Sequence, residues 1–227
     1  MIIAIQQSEH LPWVGFFNKM MRIDEFIYLD NVQYKKRYFE NRNKIRINNA
    51  LGWDWITVPT VTKGRYTQKI NEVEIDDTQG WRRKYLRKLE CAYSKANFFN
   101  EIFTLIEEVI NKEFIKLLDL NLALINFVRI YLGITKSTIL ASEICEGKGS
   151  DLILDLCIKR KADTYLSGPD GRDYLKLEEF KKNNIQVEYH DYNHCVYGQL
   201  YEPFISHMSV IDLLFNYGKD SLRIIES

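Results

Sequence analysis

Glu9 and His10 stand side by side, followed by Pro12, Trp13 and Gly15. An imidazole titrates near neutrality, so a carboxylate-oriented histidine can take a proton from an attacking nucleophile. His10 is the first candidate for such a base, with Glu9 or Asp30 to orient it. His194, beside Cys195, is the second. Pro12 suits the first turn of a helix, whose unpaired N–H groups can hold an anion. The plain alternative is an ordinary cap, with Glu9 on the helix end and His10 packed on Trp13. Trp13 shares helical spacing with Phe16, Phe17 and Met20, a core pattern, and is also kept as a substrate-contact candidate.

The run from Tyr34 to Lys44 mixes cations, amides and aromatics without helical or strand periodicity. A solvated charged loop is the bland reading. The chemical one is a nucleotide grip: Arg42 and Lys44 for phosphates, Tyr34 or Phe39 for stacking, Asn41 for a sugar or base edge. RNA would suit the same mixture, but the run is short and the whole chain neutral.

Two later loops carry further functional groups. Gly147, Lys148 and Gly149 precede a helix for which Ser150 is the expected N-cap, an arrangement able to cradle a phosphate. The spacing is not that of a P-loop. Ser167-Gly168-Pro169-Asp170-Gly171-Arg172-Asp173-Tyr174 is a tight loop rich in polar groups. Ser167, Gly168, Asp170, Arg172 and Tyr174 are substrate-binding candidates, and the N–H groups of Gly15, Gly168 or Gly171 would serve an oxyanion. Gln7 and Gln33 complete the set from the loops after the first two strands. No metal-ligand pattern is present.

These residues need a frame that gathers them. Apolar runs at Ile2–Ile5, Phe26–Leu29, Thr138–Ala141, Thr164–Leu166 and Gln186–Tyr189 read as strands. Each ends in a polar loop, near Gln7, Asp30, Ser142, Ser167 and His190. Right-handed crossovers would put those loops on one edge of a parallel sheet, where α/β proteins bind ligands. The expected fold is α/β and Rossmann-like, mostly parallel, with a β-hairpin elaboration and a helical insertion. Residues 1–79 would carry the N-terminal part of the sheet with a hairpin from Trp53–Pro59 and Ile70–Ile75. Residues 80–135 would form a helical insertion or lid, and residues 136–227 the rest of the same sheet, closed by a helix from Val210 to Tyr217.

Composition narrows the class. The 227 residues balance 31 Lys+Arg against 31 Asp+Glu, so no global field recruits nucleic acid or an anionic membrane. Four cysteines without CxxC spacing read as thiols rather than a disulfide frame or zinc site. No run is long enough to span a bilayer and no signal peptide is evident, so the expected location is cytoplasmic.

Several runs together resemble one family. They include Gln7, Glu9-His10-Leu11-Pro12-Trp13, Gly15-Phe16, Asp30-Asn31-Val32-Gln33-Tyr34, Asn41-Arg42-Asn43, Thr57-Val58-Pro59 and Tyr165-Leu166-Ser167-Gly168. Tyr174, Tyr192, Tyr197, Gln199, Phe204 and the run Ser209 to Gly218 extend the match over nearly the full chain. The chain is similar to the WbqC-like family, departing at Gln6 and Ser8, where histidine or methionine and then proline are expected. The resemblance implies a setting in bacterial O-antigen and related surface-glycan assembly, with glycine transfer onto an amino sugar as the activity proposed for some members. It carries over no catalytic residue with a known role. The first loop is also similar, more distantly, to that of HIGH-type nucleotidyltransferases and pantothenate synthetase, without a second motif histidine.

The function expected is therefore an acyl or aminoacyl transferase acting on the amine of a dTDP- or UDP-linked amino sugar. Its co-substrate would be an activated acyl donor, a thioester or an aminoacyl group, the latter admitting an aminoacyl-tRNA as the one nucleic-acid partner. No cofactor is required by this reading. The alternatives are an ATP-dependent acyl-activating ligase and a non-catalytic subunit that binds a nucleotide sugar. Oligomeric state is left open.

Overall fold

The computed structural model describes residues 1–227, the side chain of Gln79 excepted. In chain order the elements are β1 (Ile2–Gln6), α1 (Val14–Met21), β2 (Glu25–Tyr28), β3 (Arg42–Arg46) and β4 (Trp53–Thr57). Three long helices follow, α2 (Trp81–Tyr93), α3 (Phe99–Ile110) and α4 (Leu117–Leu132). Then come β5 (Ser137–Leu140), α5 (Gly149–Lys159), β6 (Thr164–Ser167), α6 (Gly171–Tyr174), α7 (Leu177–Lys182), β7 (Gln186–Tyr189), α8 (Val210–Tyr217) and α9 (Ser221–Glu226).

The chain forms two compact units. The first comprises residues 1–8, 18–32 and 135–193 and contains a five-stranded sheet in the order β5-β2-β1-β6-β7. Every pairing in it is parallel. Strands covered on both faces should read as continuous apolar runs, and β1 (IIAIQ) and β2 (EFIY) do. One face is covered by Leu152, Ile153, Leu156 and Cys157 of α5 and Phe180 of α7, packed on Ile3, Ile5, Ile27 and Tyr165. The order steps outward from β1 to β2 and β5, then returns to β6 on the other flank. Such a reversal opens a crevice at the carboxyl ends of β1 and β6. This is the expected Rossmann-like sheet.

The second unit comprises residues 9–17, 33–134 and 194–227. It holds the antiparallel pair β3–β4, the helices α2, α3 and α4, and the C-terminal helices α8 and α9. Trp53 and Trp55 stand on the face of β4 that also carries Thr57, opposite Arg46, Lys44 and Arg42. Ile45, Ile56 and Val58 are buried. Within α8, buried Asp212 accepts hydrogen bonds from Tyr93 Oη (3.0 Å), Tyr197 Oη (2.9 Å) and Gln199 Nε2 (2.8 Å). Tyr93 also stacks on Phe215, centroids 4.4 Å apart.

Two local expectations are corrected. The hairpin partner of β4 is Arg42–Arg46, which overlaps the end of the Tyr34–Lys44 run without periodicity, while Ile70–Glu72 is a turn of 3-10 helix. Burial chooses the strand: Asn43 and Ile45 face inward, although Ile45 is the one apolar residue of RNKIR. Ser150 does not cap α5, which begins one residue earlier; its Oγ accepts from the Lys176 N–H at 3.0 Å.

Candidate functional site

In the second unit, Arg42 and Lys44 project from alternate positions of β3 and meet the tryptophans opposite. The Arg42 guanidinium lies 3.9 Å from the Trp55 ring centroid, and the Lys44 ammonium 4.5 Å from that of Trp53. The tryptophans meet edge to face at 5.5 Å, and Phe39 adds its ring to Trp55 at 5.9 Å. Lys44 also acts electrostatically on His207, which stacks on Trp13 at 4.9 Å. The result is a strip of aromatic faces interleaved with cations, running Trp13, His207, Lys44, Trp53, Trp55, Arg42, Phe39.

Trp13 is held there by a close approach at Gly15. A Cβ on Gly15 would fall 2.3 Å from the Trp13 ring, so only hydrogen fits. The preceding loop is clamped by Asn43, whose Nδ2 donates to the carbonyls of His10 (3.1 Å) and Leu11 (2.8 Å). Ser209 Oγ donates to Leu11 O at 2.7 Å.

His10 is fully buried with both ring nitrogens engaged, Nδ1 with Asn121 Oδ1 at 2.9 Å and Nε2 with Tyr85 Oη at 2.7 Å. The amide oxygen can only accept, so Nδ1 carries the proton and Nε2 accepts from the phenol. Burial pushes the imidazole down to about 4, so the ring is neutral at pH 7. Its orienting groups are thus an amide and a phenol, in place of Glu9 or Asp30. His194 donates from Nδ1 to Cys195 O at 2.8 Å, which makes Nε2 its basic nitrogen. It stacks on Trp13 at 6.0 Å, and burial lowers its pKa.

Among the other candidates of this unit, Tyr34 is buried with its hydroxyl 3.2 Å from Thr60 Oγ1. Asn41 donates from Nδ2 to Val58 O at 2.9 Å, and Gln33 from Nε2 to Tyr66 O at 3.1 Å. Glu9 is half-buried. Glu40 was not signalled by motif or spacing. It is 1% exposed, and neither carboxylate oxygen closes a hydrogen bond. Its one sequence signal is being the sole acid in a run with five cations.

In the first unit, the carboxyl ends of the parallel strands carry Gln7, Asp30, Ser142, Ser167 and His190. Asp30 is fully buried and accepts from the Ser142 N–H (2.9 Å) and Oγ (2.6 Å), tying the ends of β2 and β5. His190 Nε2 pairs with Asn18 Oδ1 at 2.8 Å, and burial with the nearby Lys19 and Arg22 charges lowers it to about 4. Ser167 Oγ donates to Gly168 O at 3.0 Å. A Cβ on Gly171 would meet Ser167 Oγ at 2.1 Å, and the Gly171 N–H is taken by Gly168 O. Arg172 forms two bonds to Asp191, 2.9 and 2.6 Å, and lies 4.2 Å over the Tyr189 ring. Asp170, Tyr174 and Lys148 are exposed, and Gln7 is half-buried.

All four cysteines are unpaired by disulfides. Among the described residues no helix is long and apolar enough to cross a membrane, and no cluster of His, Cys, Asp or Glu is arranged to hold a metal ion.

No solved structure matches this chain significantly. A protein of Mycobacterium tuberculosis (strain ATCC 25618 / H37Rv), Rv1507c, described as uncharacterized, is 39% identical over 225 residues, covering 96% of this chain and 95% of that protein. The family model for WbqC-like proteins matches residues 7–224, so the chain belongs to the WbqC-like protein family.

Proposed function

We propose that this protein transfers an acyl or aminoacyl group, of the glycine type, onto the amine of a nucleotide-linked amino sugar in bacterial surface-glycan assembly. The observation that carries the reading is the strip of Trp13, Trp53, Trp55 and Phe39 interleaved with Arg42 and Lys44. Aromatic faces take a nucleobase, and guanidinium and ammonium groups take a diphosphate. Family membership adds the glycan setting that the resemblance implies.

A sugar amine must be neutral to attack an activated carbonyl. His194 lies against Trp13 in the strip and has Nε2 as its basic nitrogen. It is the histidine we assign to accept the amine proton, and His10 becomes a positioning residue for the loop that carries Trp13. The nitrogen–carbon bond forms, the donor's carbon–sulfur or carbon–oxygen bond breaks, and the proton taken by His194 passes to the leaving group.

The test is a thermal-shift screen with dTDP- and UDP-linked amino sugars, with and without thioester and aminoacyl donors. Binding raises the melting temperature with the logarithm of ligand concentration. A rise with at least one amino-sugar nucleotide, and an acylated product with a donor, is expected. No response to any of them overturns the reading.

A further inference from the structure

Glu40 is a buried acid whose carboxylate oxygens close no hydrogen bond. Its own carbonyl accepts from Asn121 Nδ2 at 2.7 Å, and the carbonyl before it, of Phe39, accepts from the His10 N–H at 2.8 Å. The carbonyl after it, of Asn41, accepts from the Val58 N–H at 2.8 Å. Three successive residues are thus fixed through the backbone. The carboxylate they place is 1% exposed with both oxygens unmatched.

A buried unsatisfied carboxylate is costly, and its persistence asks for a donor that arrives from outside. Burial raises its pKa, while the Lys35 charge and the N–H groups of residues 35 and 40 oppose the rise without closing a hydrogen bond. Nearby segments repeat the imbalance: Asn41 Oδ1 and Gln68 Oε1 are buried acceptors without donors. Arg42 Nε, two residues on, is a buried donor likewise without a hydrogen bond; a carboxylate only accepts, so the group missing at Glu40 itself is a donor. Glu40 directly follows Phe39, whose ring meets Trp55 at 5.9 Å, and Glu40 and Arg42 both act electrostatically on the Tyr34 phenol. An ammonium on a strip-bound ligand has the required charge and up to three N–H donors.

We infer that Glu40 is the amine-recognition residue, receiving the ammonium group of the bound amino sugar; that group releases one proton to solvent, and the neutral amine then attacks, giving its next proton to His194. The inference rests on the proposed nucleotide-sugar reading for its ligand, and on Glu40 alone for its chemistry. A sugar with hydroxyl in place of the amine brings no charge to match the carboxylate, so Glu40 would separate the two by affinity. The exposed turn of Lys35, Lys36, Arg37 and Tyr38 is separated from Glu40 only by Phe39 and is where the sugar would enter.

The experiment compares wild type, E40Q and E40D with a dTDP-4-amino-4,6-dideoxyhexose and with dTDP-glucose by calorimetric titration. Wild type should prefer the amino sugar by at least roughly tenfold, E40Q should lose the preference, and E40D should restore part of it. A preference undiminished in E40Q overturns the assignment. If wild type binds neither nucleotide sugar, the proposed function fails separately. Glu40 is then read from its carboxyl carbon resonance, assigned by its loss in E40Q. A shift on adding glucosamine but not glucose supports amine recognition, and no shift overturns it. E40Q should also melt no lower than wild type at pH 8, since the amide removes an unmatched charge. A fall of several degrees would reveal a protein partner for Glu40 and sink the inference.

Discussion

Arg42 lies over the Trp55 ring, its guanidinium carbon 3.9 Å from the centroid. The stack keeps a long, flexible cation in one place on an accessible face, with its outer surface able to meet an anion. Replacing it tests the strip without disturbing the core. Arg42 is half-buried, and such a cation–π pair contributes about 0.5–2 kcal/mol, so R42A should unfold within about 2 kcal/mol of wild type. Its affinity for a nucleoside diphosphate should fall about tenfold or more, through the lost charge-assisted bonds. R42K should recover only part, because an ammonium lacks the planar fork. Isothermal titration with dTDP and UDP reads this directly, and equal affinities in all three proteins would remove Arg42 from ligand binding.

His10 leads to a prediction about pH and stability. Its folded value of about 4 lies below the unfolded 6.5, so folding favours the neutral ring. That contribution is complete above pH 6.5 and is lost as the pH falls toward 4. A shift of this size corresponds to about 3 kcal/mol. Asp212 works in the opposite sense: burial raises it from 3.8 to about 6, so its contribution is present below pH 3.8 and is lost as the pH rises through 6. Urea unfolding of H10N between pH 4 and 6.5 should therefore show a slope flatter than wild type by about 3 kcal/mol across the window. D212N should show a steeper rise. Identical slopes in H10N and wild type would mean that His10 charges without resistance from the fold.

The sheet was legible because its signal is local. Ile2–Ile5, Phe26–Leu29 and Thr164–Leu166 are apolar runs punctuated by polar loops, and parallel strands covered on both faces have that composition. Val210–Tyr217 was legible from its Ser209 and Gly218 boundaries, and the Ser209 side chain does accept from the Ile211 N–H. What escaped was non-local. Arg42–Arg46 is a strand because Trp53–Thr57 pairs with it, and no periodicity in RNKIR announces that. The partners of His10 lie 75 and 111 residues away, at Tyr85 and Asn121, beyond the reach of any spacing rule. Glu40 looked like one more surface charge because burial of a single acid in a basic run leaves no mark on composition.

The Trp13–Gly15 approach gives a third prediction. An alanine methyl at Gly15 would sit 2.3 Å from the indole and must push it away. The ring would leave its stack with His207, now at 4.9 Å. G15A should lose about 1–3 kcal/mol of stability, the usual range for overpacking. It should also lose nucleotide affinity, although Gly15 presents no side chain to a ligand. Combining G15A with W13A removes the clash, so the double variant should unfold no earlier than W13A alone. A double variant less stable than W13A would mean that Gly15 serves the backbone and not the tryptophan.

Asp30 offers the last test, at the carboxyl edge of the parallel sheet. The fully buried carboxylate accepts two hydrogen bonds from Ser142, one from the backbone N–H at 2.9 Å and one from the hydroxyl at 2.6 Å. It thereby fixes the start of the loop after β5 against the end of β2. Hydrogen bonds to a charged group contribute about 1.5–3 kcal/mol each, more than neutral ones. D30A should therefore be destabilised by about 3 kcal/mol or more, and S142A, which leaves the N–H bond intact, by about half as much. Because the two side chains share one bond, the double variant should cost less than the sum of the singles, by about 1 kcal/mol or more. Urea denaturation of the four proteins closes that cycle. Strict additivity would show that the Asp30–Ser142 hydroxyl bond contributes nothing, and the edge would then be held by the Ser142 N–H bond to Asp30 and the strand ladder of β2 and β5.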